Sequence, residues 1–299
     1  MEEFWYWMEV FVSGTLQGVM YSLVALGFVL IYKSSGVFNF AQGSMCLFGA
    51  LGFVILLEAE YNFWFALLLA VGMMIVLAIA VDWVVLRPLT ARPPITLFMA
   101  TVGLAFFLEG LAQLVWGTQP HGLDIGISDL PFEGLPISIS RFELFAAGIS
   151  IVMIGVLVLF FHKTRVGRAL RAVADDHEAA LSVGISLRMV WGVTWAIAGI
   201  VALVAGIMWG TRLGVQYSLS LIVLKALAVL ILGGFNSISG AIIAGVIVGA
   251  FEKLLDVGIS VATDYQFGGT ESFSAYLLAL VVLLFKPYGL FGDEIIERV

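Results

Sequence analysis

Two ionisable residues sit where charge is expensive: Glu109 inside ITLFMATVGLAFFLEGLAQLVWG and Lys225 inside LSLIVLKALAVLIL. A charged side chain facing lipid costs about 2.5–3.5 kcal/mol on insertion scales. Both must therefore turn toward the interior of a helical bundle or a water-filled route. Two readings stay open for them: a structural one, by pairing with each other or by snorkelling, and direct contact with a polar solute. A third concentration of polar chemistry is the helix-capable stretch 162–188, HKTRVGRALRAVADDHEAALSVGISLR, which separates two long apolar runs. Other groupings carry little. His121, Asp124, Asp129 and Glu133 share one connection, but a lone histidine among scattered acids lacks metal-ligand spacing, and a solvated loop explains them. Cys46 is the single cysteine, so neither an internal disulfide nor a cysteine metal cluster can form. Its apolar neighbours mark it as a small packing residue. No lysine follows a glycine anywhere in the chain, which excludes a phosphate-cradling G-x-x-x-x-G-K-[ST] loop. No catalytic residue, metal site or cofactor is expected in this chain.

The elements that must position these residues follow from composition. Of 299 residues, 62% are hydrophobic and only 12% charged, too few charges to coat a water-exposed surface. Runs of about 20 apolar residues span a hydrocarbon core of roughly 30 Å as helices, whereas a barrel would show short alternating segments. The prediction is an all-α polytopic bundle forming one transmembrane domain over 1–299. Apolar segments fall at about 9–32, 37–57, 62–83, 95–116, 142–162, 189–210, 213–232, 237–255 and 272–287. The second segment and the pair across 213–255 contain glycine and polar breaks, so broken or re-entrant helices are expected there. The acidic start MEEFWYWMEV lacks the basic n-region of a cleavable signal. Trp5, Tyr6 and Trp7 read instead as an interfacial aromatic belt. The net charge of −7 is spread over connecting loops and gives no nucleic-acid footprint.

Positive charge sets the orientation. With the N-terminus outside, inner loops and tail hold Lys33, Arg87, Arg92, Lys163, Arg165, Arg168, Arg171, Arg188, Lys286 and Arg298. Outer loops hold Arg141, Arg212 and Lys253, and Lys225 lies within a span, which accounts for all 14 basic residues. The C-terminus then lies inside, 163–188 is cytoplasmic, and the acidic, Pro- and Gly-punctuated connection 117–141 is extracytoplasmic.

The segment FNFAQGSMCLFGALG at 38–52 echoes FNSISGAIIAGVIVG at 235–249, aligning Phe38, Asn39, Gly43 and Gly52 with Phe235, Asn236, Gly240 and Gly249. Either an internal repeat or small-residue packing accounts for the match. A duplicated pair of interrupted apolar segments points to a transport route. Asn39, Gln42 and Asn236 at these breaks can satisfy freed backbone groups and line or shape a path for a small polar solute. Gly245 and Gly249, spaced as G-x-x-x-G, read better as a helix–helix contact.

Together, SLVALGFVLIYKSSGVFNFAQGSMCLFGA at 22–50, TRVGRALRAVADDHEAALSVGIS at 164–186, LGGFNSISGAIIAGVIVG at 232–249 and FKPYGLFG at 285–292 carry a family resemblance over nearly the whole chain. The chain resembles the permease subunits of branched-chain amino-acid (Liv-type) ABC importers, in particular the LivH-like half. The resemblance implies an inner-membrane permease and a second homologous permease beside it. It also implies two cytoplasmic ATPases that use ATP and Mg, and an extracytoplasmic binding protein that delivers the solute. Relatives of this fold carry branched-chain amino acids, urea, short-chain amides and other small organic solutes. The loop after the fifth span is then the ATPase contact. Gly167, Ala169, Ala172, Ala179 and Ala180 would let a short helix seat closely in a cleft. Arg168, Arg171, Asp175, Asp176 and Glu178 offer charged rim contacts, and Gly184 ends the helix. The competing class is an ion-coupled secondary carrier, for which two buried ionisable residues are sparse.

Overall fold

The computed structural model describes residues 2–89, 92–132, 137–175, 177–264 and 269–292. Glu133, Asp176 and Arg298 lie outside the described residues, as does the side chain of Glu178. The described residues form an all-α fold. In chain order the helices are α1 (Glu2–Ser35), α2 (Gln42–Glu58), α3 (Phe63–Val81), α4 (Pro94–Trp116), α5 (Arg141–Lys163), α6 (Arg165–Asp175), α7 (His177–Ser182), α8 (Leu187–Leu213), α9 (Ile222–Gly233), α10 (Ile238–Ala262) and α11 (Glu271–Phe285). A π-helical stretch Asp82–Leu86 and a short 3₁₀ turn continue α3 to Leu89, and a 3₁₀ turn at Tyr217–Leu221 leads into α9. Among the described residues six helices are long and apolar enough to cross a membrane, and three shorter apolar ones lie at 42–58, 217–233 and 273–285. The short helices occupy three of the segments read from sequence, including the second segment and one of the pair across 213–255. α10 runs on to Ala262, so Lys253, read above as an outer-loop residue, is a helix residue. Its ammonium donates to Glu271 at 2.6 Å.

The chain divides into two compact units, residues 1–26, 126–153 and 224–299 in one and 27–125 and 154–223 in the other. In the first unit, the inner part of α1 is apolar around its circumference, the mark of a helix buried on all sides. Met20, Tyr21, Leu23, Val24, Ala25 and Leu26 are all at most 1% exposed. Lipid tails are as apolar as leucine, so helices here associate through close packing rather than hydrophobic gain. α1 carries its own G-x-x-x-G, and it meets that of α10. A Cβ added to Gly14 would stand 2.7 Å from the Gly249 carbonyl oxygen, and one on Gly245 would stand 2.7 Å from that of Gly18. Gly245 and Gly249 are thus the helix contact expected from their spacing. Ser22 reinforces it, donating to the Gly18 and Ile242 carbonyls at 3.0 Å each.

The second unit uses the same device. Any Cβ on Gly206 of α8 would overlap the Cys46 carbonyl of α2, and one on Gly49 would meet Leu203 Cα at 3.2 Å. Cys46 is 1% exposed and fills this contact as the packing residue it was expected to be. Gly199 brings α8 close to α3, where a Cβ would stand 3.0 Å from the Met74 carbonyl oxygen. At one end of this unit, His121 and Val215 exchange backbone hydrogen bonds of 3.0 and 2.9 Å, and the His121 ring meets Glu58 at 2.8 Å. The α2–α3 turn, the start of the 117–141 connection and the α8–α9 turn therefore share that end.

Gly249→Leu is expected to cost about 1–3 kcal/mol through overpacking of α1 against α10. Gly258→Ala, where a Cβ has only Trp7 within 4 Å, at 3.9 Å, should change stability by no more than about 0.5 kcal/mol. Thermal unfolding of the purified chain in detergent compares the two. Equal melting temperatures would show that the α1–α10 contact is loose.

Candidate translocation residues and coupling segment

Helix α1 ends where Gly36 takes a left-handed φ of +67°, and the chain turns through 36–41 before α2 begins. Interrupted backbone at membrane depth must find internal partners, and the side chains around it supply them. Asn39 accepts a hydrogen bond from the Ala41 amide at 3.1 Å and donates to Gln42 Oε1 at 3.3 Å. Gln42 Nε2 donates to the Ala198 carbonyl of α8 at 3.3 Å. Thr101 of α4 bridges the break from the other side, accepting from the Phe40 amide and donating to the Phe38 carbonyl, both at 3.1 Å. Asn39, Gln42 and Thr101 are fully buried. In this conformation their polar groups repair the broken backbone. Fully buried, they present no surface to a solute in this conformation.

Glu109 sits one helical turn below Gln113 on α4 and is 8% exposed. Its carboxylate accepts from Ser44 Oγ at 2.9 Å, and the Tyr217 hydroxyl lies near it. Half-exposed Tyr217 also lines a cavity of about 60 Å³ with Gln113, Thr118, Gln119 and Gln216. The group reads as a neutral, amide-rich mouth with one carboxylate beneath it. Sequence reasoning missed Ser44, Tyr217 and the three glutamines. The spacing of Gln113 from Glu109 by four residues was the available signal.

Lys225 lies in the other unit, and its partner is not Glu109. The Lys225 ammonium pairs with Glu252 of α10, lies 5.7 Å from the centroid of the Tyr21 ring, and is 22% exposed. Tyr21 donates to Glu252 at 3.3 Å and accepts from Gln17 at 2.8 Å. Glu252 is fully buried. A hydrogen-bonded ion pair removes most of the penalty that either charge alone would carry, so Lys225 needs no solute to explain its burial. The pairing with Glu109 left open above is thereby corrected. Asn236 is exposed, and Ser237 rather than Asn236 caps α10, accepting from the Gly240 amide at 2.9 Å. The two halves of the sequence echo share their glycine contacts but not the role of their asparagines. Asn39, Gln42 and Glu109 belong to one unit, Lys225 and Asn236 to the other.

The stretch 162–188 is two helices. α6 turns Gly167, Leu170 and Val173 inward on one face, and Gly167 lies so close to the Phe160 and Phe161 backbone that a Cβ would overlap it. Ala180 of α7 is also buried, at 2%. Outward lie Arg168 and Asp175, then Ala179, Leu181 and Val183, while Arg171 and Ala172 are half-buried. Gly184, at φ +84°, closes α7. Its amide bonds to Leu181 O at 3.0 Å and that of Ile185 to Ala180 O at 3.0 Å, the two bonds of a Schellman motif. The exposed apolar tip at Leu181 and Val183 was not anticipated from the sequence, where alanines drew the attention.

A family model described as the permease component of the branched-chain amino acid transport system matches residues 10–285. The high-affinity branched-chain amino acid transport system permease protein LivH of Escherichia coli K12 is 29% identical, covering 100% of this chain and 99% of that one. The corresponding BraD of Pseudomonas aeruginosa is 27% identical over all of both chains. The probable LivH of Methanocaldococcus jannaschii is 29% identical, with 91% and 88% covered. Among solved structures, PsaBC from Streptococcus pneumoniae in complex with Fab superposes with a TM-score of 0.50 at 12% identity, covering 92% of this chain and 90% of that one. That likeness concerns the fold alone.

Lys225→Met should cost about 3–5 kcal/mol by leaving Glu252 charged and unpaired in the membrane. Adding Glu252→Gln should recover most of it. Thermal stability in detergent reads both variants, and equal loss in single and double variants would refute the pair.

Proposed function

The chain belongs to the permease family of the branched-chain amino acid transport system, and from that premise we propose how it works within an ABC importer. It is a multi-pass membrane transport subunit rather than an enzyme. In the proposed assembly it sits in the bacterial inner membrane beside a second homologous permease. It passes branched-chain or related small amino acids delivered by an extracytoplasmic binding protein. Two cytoplasmic ATPases, using ATP and Mg, supply the work. The observation that carries this reading is full-length similarity to permeases of that transport system, together with the exposed tip of α7.

The orientation places the N-terminus outside and the C-terminus inside. Its support is the second unit, where Lys33, Arg87, Arg92, Lys163, Arg165, Arg168, Arg171 and Arg188 lie at or beyond helix ends that this orientation puts inside. At the opposite end, marked by His121, Glu58 and Val215, Arg212 closes α8. That asymmetry is the positive-inside pattern. α6 and α7 then project into the cytoplasm. Ala179, Leu181 and Val183 would enter the ATPase, with Arg168, Arg171, Ala172, Asp175, Asp176 and Glu178 around them. Gly167, Ala180 and Gly184 hold the shape of the segment. A step of the ATPase against α7 reaches α8 directly, since only 183–186 separate them.

For the route, Glu109 with Tyr217, Gln113 and Gln216 forms the outer approach, and Asn39 and Gln42 hold the break beside it. Asn236 and Lys225 occupy the other unit. Amides suit passage better than capture, because tight binding midway would slow release.

The orientation and coupling are tested together by cysteine chemistry. Cys46, the one native thiol, is buried, so it gives a silent background. Gln119→Cys should react with an impermeant maleimide added to intact cells, and Ala179→Cys should not. Ala179→Cys should instead cross-link to the ATPase in membranes. External labelling of position 179 would overturn both the orientation and the coupling role.

A further inference from the structure

Beside the coupling segment, the second unit holds a cavity of about 680 Å³ whose walls include Trp83, Arg87, Leu181, Ser186, Arg188 and Trp191. None of the residues discussed for transport uses it, except that Leu181 also forms the α7 tip. Its composition is specific. Asp82, fully buried at the start of the π-helical stretch, holds Arg87 through Nε at 3.0 Å and a terminal nitrogen at 2.9 Å. This fixes the guanidinium at the cavity wall while leaving its side chain 34% exposed. π-helical stretches inside helices are frequent at functional sites. Trp191 is anchored by its indole donating to the Ser34 carbonyl at 2.9 Å. Arg188 is exposed, and among the described residues no carboxylate lies within ion-pair distance of it. Ser186 precedes α8 without using its hydroxyl as a cap. Among the described residues, Asp82 is offset by Arg87 and the charge of Arg188 is left without a counter-ion in the cavity.

Two arginines and two indoles, one of each from the end of the α3 continuation and one of each from the start of α8, are the chemistry of a membrane interface on its basic side. Guanidinium groups bind phosphate oxygens through paired N–H donors, and indoles settle at headgroup level. The same π-helical turn carries an apolar surface. Val84 and Val85, adjacent in sequence to Trp83, line a groove of about 440 Å³ with Leu104 and Phe107 of α4. A free phosphate would need only the arginines. A glycerophospholipid would use the arginines, the indoles and the groove.

We propose that this cavity is a binding site for the phosphate headgroup of an anionic glycerophospholipid. The inference rests on the inward orientation proposed above, which places the site in the cytoplasmic leaflet, where basic pockets between helices bind anionic headgroups. Because Leu181 of α7 forms part of the wall, a bound lipid braces the coupling segment against α3 and α8.

The test is lipid retention by the purified full chain, which reads the cavity whichever way the chain is inserted. Failure here is therefore distinguishable from failure of the orientation, which cysteine labelling reads. Protein is incubated with mixed phosphatidylglycerol and phosphatidylcholine vesicles, re-extracted in detergent and examined by native mass spectrometry. Wild type should retain phosphatidylglycerol in preference to phosphatidylcholine. Arg188→Gln should lower that retention about fivefold, the effect of one basic residue near an anionic surface. Arg188→Lys should keep part of it. Arg92→Gln, which removes an exposed arginine that does not line the cavity, should match wild type. Arg87 is left intact, because its loss would strand the buried Asp82. Equal retention of the two lipids, or unchanged retention in Arg188→Gln, would overturn the site. Displacement of the lipid by millimolar inorganic phosphate would overturn the lipid assignment in favour of a free-anion site.

Discussion

In a bilayer, apolar helices gain almost nothing by touching one another, so everything in this molecule depends on how closely backbones approach. The chain solves that with small residues at matched positions. Gly14 and Gly18 of α1 face Gly249 and Gly245 of α10, and Gly206 and Gly49 bring α8 and α2 together around Cys46. Each contact trades side-chain volume for dispersion between main chains. The result is a scaffold in which Asn39, Gln42, Thr101 and Lys225 are engaged by local partners, while Gln17 Oε1, the Trp195 indole nitrogen and Glu252 Oε2 are buried without a hydrogen bond among the described residues.

That engagement determines the chemistry left to the molecule. Asn39, Gln42 and Thr101 are spent on a broken backbone, and Lys225 on Glu252 and Tyr21. Glu109 keeps a hydroxyl on either side and a small amide-lined mouth above it. Ionisable groups neutralised within their own unit make a poor relay for an ion gradient. They suit a frame moved from outside. The proposed contact for the ATPase is the exposed tip of α7, tied to α8 by a four-residue connection.

Much of this was legible in the residues. The apolar runs became helices near the expected positions, because a continuous run of about 20 apolar residues satisfies its own backbone groups in lipid as a helix, whereas a barrel needs short alternating segments. The spacing of Gly245 and Gly249 announced a contact, and Gly184 announced a helix end. The misses have physical causes. Glu252 was passed over because it stands beside Lys253 near the end of an apolar run, where a charged pair reads as the exit from the membrane. The helix instead continues to Ala262, and that extension buries the carboxylate opposite Lys225. Asn39 and Asn236 align in sequence yet differ in burial, because the second break is capped by Ser237. Periodicity could have shown that Gly167, Leu170 and Val173 share one buried face of α6, which packs Gly167 against the Phe160 and Phe161 backbone. The Tyr217–Glu109 contact joins residues far apart in sequence, and no local pattern reports it.

The central claim is that this chain provides a passive frame worked by ATP hydrolysis elsewhere. It is tested most directly by uptake into proteoliposomes holding the chain, its companion permease and both ATPases, with the binding protein added outside. Labelled leucine should accumulate only when ATP reaches the face that carries α6 and α7, and should be indifferent to proton or sodium gradients. Accumulation by the chain alone, driven by an ion gradient without ATP, would contradict the account.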